Sequence, residues 1–165
     1  MLNAPPIFLT KPTDTTLYSA DAAGWANVKR DYNDEANGYG QQVYRWVYNS
    51  SGVDIPANAT VKFKSGSNFE VLLATTATPT VQVAGIMQNA LPNGYCGWAL
   101  CEGKGLFTSD TDVAANAPLS VSSASSGVAG RLDDIAVAGI EHCLLGYSIE
   151  AATGVQNKLG MFKIG

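Results

Sequence analysis

The sequence predicts an all-β protein: a single β-barrel or β-sandwich domain of short antiparallel strands, preceded by an extended N-terminal arm. Two observations carry this. Short alternating apolar segments recur with turn signals every 8–12 residues or so, the spacing of a sandwich or barrel. Glycines fall inside or beside those segments, at Gly85, Gly97, Gly103, Gly105, Gly139 and Gly146, as bulges and barrel corners require. No amphipathic helix of useful length competes with this pattern.

Residues 1–40 read as the arm and residues 41–165 as the β-domain. The arm holds Pro5, Pro6 and Pro12 and lacks a regular apolar repeat. Its apolar side chains, Ile7, Phe8, Leu9, Tyr18, Trp25 and Tyr32, are candidate anchors for a partner surface. Residues 31–40, DYNDEANGYG, read as loop, with Asn37-Gly38 as a turn signal. The alternative is a long leading loop packed on its own domain.

From Gln41 the period becomes that of a strand. Tyr44, Trp46 and Tyr48 alternate with Val43, Arg45 and Val47, giving one aromatic face. Asn49-Ser50-Ser51-Gly52 turns the chain, and 60–64 alternates as an edge-type strand. Segments 69–75 and 80–88 continue the series. Next come a Pro92-Asn93-Gly94 turn and a strand carrying Gly97-Trp98, with Trp98 expected in the core. Gly103-Lys104-Gly105 reads as a tight turn leading to a Leu106-Phe107 strand. Residues 119–128 are Ser-rich, Arg131 to Asp134 form a polar corner, and two closing strands, 143–151 and 158–164, join around Thr153-Gly154.

The chain has 165 residues, enough for one domain with a real core, and 46% are apolar. Only 15% are charged, below the usual quarter, which suits packing against other protein. The net charge is −4 and the basic residues are scattered, so no nucleic-acid partner is expected. The start lacks a signal-peptide pattern and no apolar run reaches the roughly 18 residues of a membrane helix. Synthesis in the cytoplasm, with Cys96, Cys101 and Cys143 reduced, and no membrane partner, is the expectation.

No reactive constellation stands out. Cys96 and Cys101 are five apart, which points them to opposite faces of a strand and away from a shared metal or bridge. The sole histidine, His142, has no nucleophile-elbow sequence to serve. Glu102-Gly103-Lys104-Gly105 lacks phosphate-loop spacing. Asp110-Thr111-Asp112 and Asp133-Asp134 are oxygen-rich enough for a calcium turn but lack the longer acidic loop, and read as solvated corners. The Tyr44, Trp46, Tyr48 stripe suits a core or subunit interface, with sugar stacking as the alternative. The expectation is no catalytic residue, no metal and no cofactor, in a structural or assembly protein rather than an enzyme.

The order of elements resembles the decoration, or cement, proteins of tailed bacteriophage capsids. The matching pieces are Gly40 followed by the aromatic strand to Tyr48, the Asn49 to Val61 bend and strand, Val83 to Ile86, Gly94 to Gly103 with Gly-Tyr-Cys-Gly-Trp-Ala-Leu, and Leu145 to Ala152. The likeness covers roughly residues 38–164 and leaves the arm unmatched. It implies a place on the capsid surface of the virion, the major capsid protein as partner, and a homo-oligomer with a trimer as the expected number. It also implies stabilisation of the shell by bridging capsid subunits. Candidate interface residues are then Ile7, Phe8, Leu9, Tyr18, Trp25, Tyr32, Tyr44, Trp46 and Tyr48. The alternative is another virion β-module: tail, head fibre, or a receptor- or carbohydrate-binding protein using Tyr44, Trp46, Tyr48 or Trp98.

Overall fold

Alternating apolar residues, interrupted by glycine and asparagine turns, build eleven strands and no α-helix among the described residues of the computed structural model. Those residues are 18–19, 28–75, 82–121, 129–134 and 144–165. The strands are β1 (Tyr18–Ser19), β2 (Lys29–Asp34), β3 (Gly40–Asn49), β4 (Thr60–Phe63), β5 (Glu70–Leu73), β6 (Val83–Met87), β7 (Tyr95–Thr108), β8 (Pro118–Val121), β9 (Leu132–Asp134), β10 (Gly146–Ser148) and β11 (Asn157–Lys163).

The pairing closes a five-stranded barrel. β3 pairs β5, β5 pairs β4, β4 pairs β6, β6 pairs β7, and β7 returns to β3. All contacts are antiparallel except β3–β5, which is parallel at Tyr48–Glu70 and Asn49–Val71. β4 therefore lies between two strands and is not the edge its alternation indicated. Each barrel strand contributes to one apolar cluster: Val47, Val61, Val71, Ala84, Met87 and Ala99, with Ile55, Ala59 and Leu91 packed among them. Five strands enclose a narrow space, and these modest side chains fill it.

A second loop of sheet runs from the far half of β7 through β11, β10, β8 and β9. It closes by one parallel bridge, Ser109 to Leu132, where Asp110 N donates to Leu132 O at 2.8 Å. Arg131 to Asp134, read as a corner, thus contains a strand. Phe107, Leu119, Leu132 and Phe162 from these strands, with Leu145 just before β10, join a larger cluster that also holds Tyr44, Trp46, Ile86, Trp98 and Leu100 from the outer face of the barrel.

β7 serves both halves, which corrects the expected turn at Gly103-Lys104-Gly105. The strand runs unbroken for 14 residues. The glycines are there for close approach: a Cβ at Gly103, whose φ is +102°, would sit 2.6 Å from Gln41 O, and one at Gly105 would land on Leu100 Cδ2. Two glutamines complete the strand's hydrogen bonding. Gln42 Nε2 donates to Lys104 O. Gln88 Nε2 donates to Leu106 O at 3.0 Å, and Leu106 N donates to Gln88 Oε1 at 2.9 Å.

The segment read as an arm is partly sheet. β2 pairs β3 along its whole length, from Lys29–Arg45 to Asp34–Gly40. The loop reading failed at 31–34 because Asp, Asn and Asp mask the alternation of a polar-faced strand. It succeeded at 35–38, where Asp34 Oδ1 accepts from Asn37 N at 3.2 Å and Gly38 has φ +67°.

Candidate functional site

The aromatic stripe is the first place to look for a binding face, and β3 turns it inward. Tyr44 is 1% exposed and Trp46 3%. Their rings meet neighbours edge-on: Trp46 lies 4.9 Å from Trp98, and Tyr44 lies 6.5 Å from Tyr32. Tyr48, half-buried, stacks on Phe69 at 6.0 Å. Tyr44 and Trp46 are therefore corrected from interface to core: with strands on both edges of β3 and a cluster on each face, no open side remains. Burial pushes the Tyr44 phenol well above its ordinary range, with the Asp34 carboxylate adding to the shift.

Two of the arm's anchors pack on their own chain. Tyr18 pairs with Cys96 in register, and its ring sits 5.5 Å from Trp46. Tyr32 packs against Tyr44 from β2. Ile7, Phe8, Leu9 and Trp25 lie outside the described residues, as do His142 and Cys143.

Cys96 and Cys101 are both buried and free. They point apart, as their spacing indicated. Cys96 belongs to the larger cluster with Trp98, while Cys101 donates to Ala84 O at 3.4 Å near the barrel interior. Burial pushes the Cys96 thiol up to about 12 and also raises that of Cys101, where Arg45 opposes the rise. Such thiols are inert as nucleophiles.

Arg45 occupies one end of the barrel, 5% exposed. Its guanidinium donates to Ala84 O at 3.4 Å and Gly165 O at 2.9 Å, and lies 5.2 Å from the Phe63 ring centre. Two bulges bring these groups together. Val43 faces Glu102 while Tyr44 faces Leu100, so Cys101 is the extra residue in β7; likewise Ala84 is extra in β6.

The oxygen-rich corners meet and fasten to other groups. Thr111 Oγ1 donates to Asp133 Oδ1 at 2.7 Å, Arg131 reaches Asp110 at 3.2 Å, and Gly154 N donates to Asp112 Oδ1 at 2.6 Å. Among the described residues, no three His, Cys, Asp or Glu converge as a metal would need, and no helix is long and apolar enough to cross a membrane.

What the sequence missed is a groove of about 850 Å³ over the outer side of β10 and β11. Leu144 is 49% exposed and Tyr147 45%, and Val43, Pro118 and Met161 join them. Tyr147 faces Met161 on one side and Pro118 on the other. Glu102 and Lys163, opposite each other in the β7–β11 register, line the same groove. In the sequence, Leu144-Leu145 looks like uniform core. Only the docking of Leu145 into the cluster tells which of the two is left outside.

This surface combines exposed apolar area with one charge of each sign beside it. It lies over the second loop of sheet, which shares the long strand β7 with the barrel. No protein-family model matches the chain, and no curated protein matches it. Among solved structures, it is similar in fold to the head fiber gp8.5 N base of bacteriophage phi29, with a TM-score of 0.53. The two share 12% sequence identity, and the match covers 75% of this chain and 96% of that one.

Proposed function

We propose that this chain is a structural protein of a bacteriophage virion, a β-module that decorates the head and stabilises the shell by bridging major capsid subunits. The observation that carries the reading is the likeness in fold to a phage head fiber base over nearly all of that chain. The order of elements along the sequence, which resembles capsid decoration proteins, points the same way independently.

The mechanism is mechanical and requires no catalytic residue, metal or cofactor. A homo-oligomer sits on the capsid surface and buries apolar area, the Leu144 and Tyr147 groove included. Ligand that binds only the assembled lattice stabilises that lattice, by about 2.7 kcal/mol per site at a hundredfold excess over Kd. Many equivalent sites make modest contacts sufficient.

Co-sedimentation with preformed phage shells tests it. The protein is expected to pellet with assembled shells, to ignore unassembled shell protein, and to raise the temperature at which shells open. Saturating protein that neither pellets nor protects would remove the proposal.

The fold likeness also favours a second reading, the base of a head fibre. Electron microscopy of loaded shells separates the two. A decoration protein is expected to form the outermost layer by itself, whereas a fibre base is expected to carry a further projecting part.

A further inference from the structure

We infer that β2 is a self-pairing edge: two copies join through this strand, antiparallel about a two-fold axis at Tyr32, continuing the sheet from one copy into the next. Among the described residues, β2 pairs only with β3, so its other edge meets no strand. An open edge presents unpaired main-chain groups and is a template for another strand.

The hydrogen-bond phase says which groups face outward. Trp46 N donates to Val28 O at 2.9 Å, which sets Val28, Arg30, Tyr32 and Asp34 as the residues bonded to β3. Lys29, Asp31 and Asn33 then direct their main-chain groups to the open edge. A two-fold axis normal to the sheet keeps the same face up in both copies. It therefore pairs outward residues only with outward residues, and a limited set of registers remains.

Charge selects among them. Centred on Arg30 the two arginines face each other, and centred on Asp31 the two carboxylates do. Centred on Asn33, Asp31 of each copy faces Glu35 of the other. Centred on Tyr32, Asp31 faces Asn33 and Lys29 comes beside Glu35, the first residue of the turn after β2, each twice by symmetry; Arg30 lies opposite Asp34, whose buried carboxylate is held by Asn37, and no like charges are opposed. In that register Asp31 and Asn33 exchange main-chain hydrogen bonds on both sides of the axis. Arg30 is already engaged within its own chain and Asp34 is bonded to Asn37, so the register rests on the exposed Lys29, Asp31, Asn33 and Glu35.

This deepens the self-association contained in the proposed function, yet it rests on the strand edge rather than on shell binding. A closed two-fold contact yields a dimer, where the sequence led to an expected trimer.

Sedimentation velocity of the full chain without shells is the test, so its failure leaves the capsid reading standing. A dimer is expected. Lys29→Glu and Glu35→Lys, both at exposed positions, are each expected to weaken the dimer roughly 10-fold or more, because each turns two attractions into repulsions. The double variant carrying both is expected to return to within about 3-fold of the parent. Asp31→Pro removes an outward N–H without touching the β2–β3 ladder and is expected to give a folded monomer. A monomer at high concentration, a trimer, or a dimer indifferent to all these changes would overturn the inference.

Discussion

Replacing Trp98 by alanine probes the junction on which both halves of the molecule depend. The indole is 5% exposed, lies edge-on to Trp46 at 4.9 Å, and sits on β7, the strand shared by the barrel and the second loop of sheet. A buried tryptophan removes roughly 150–250 Å² from water, which at about 25 cal/mol/Å² is near 4–6 kcal/mol as an upper bound. Part of that is retained by the alanine Cβ, while the cavity adds a cost, so the expected loss is about 4 kcal/mol. For a domain of this length that lowers Tm by roughly 8–16 °C. Urea denaturation followed by far-UV circular dichroism measures it, and a Trp46→Ala, Trp98→Ala cycle should show about 0.5–1.5 kcal/mol of coupling between the rings. A loss below about 1 kcal/mol for Trp98→Ala would mean that the ring does not fill the junction, and the packing argument would fail.

Gln88→Ala removes both bonds to Leu106 and is expected to cost about 1–3 kcal/mol, read by the same denaturation; no change would show that water replaces the side chain without penalty. Cys96 and Cys101 are expected to resist a thiol reagent at pH 8 in the native protein and to react once it is unfolded; fast labelling of the native form would refute their burial. The unfolded Cys96 thiol ionises near its ordinary value of 9 and the folded one near 12. Above pH 9 the unfolded state therefore binds fewer protons, so stability is intact below pH 9 and falls as pH rises towards 12. Cys96→Ala, measured against the parent, should flatten that part of the curve.

The all-β class was legible in the sequence because strand alternation and turn chemistry are local. Asn37-Gly38, Pro92-Asn93-Gly94 and Thr153-Gly154 mark turns where the chain turns, and the opposed directions of Cys96 and Cys101 follow from spacing along one strand. Which strands meet was decided by tertiary structure. β4 alternates like an edge strand but lies between β5 and β6, and Gly103-Lys104-Gly105 reads as a turn but is strand held by side chains from Gln42 and Gln88. The same holds for the candidate site. Tyr44 and Trp46 look like a platform until β2, β5 and β7 surround β3, and Leu144 looks like core until Leu145 takes the inner position. Alternation divides a strand into two faces, but only the packing of distant strands determines which face is covered, and so which residues remain to meet a partner.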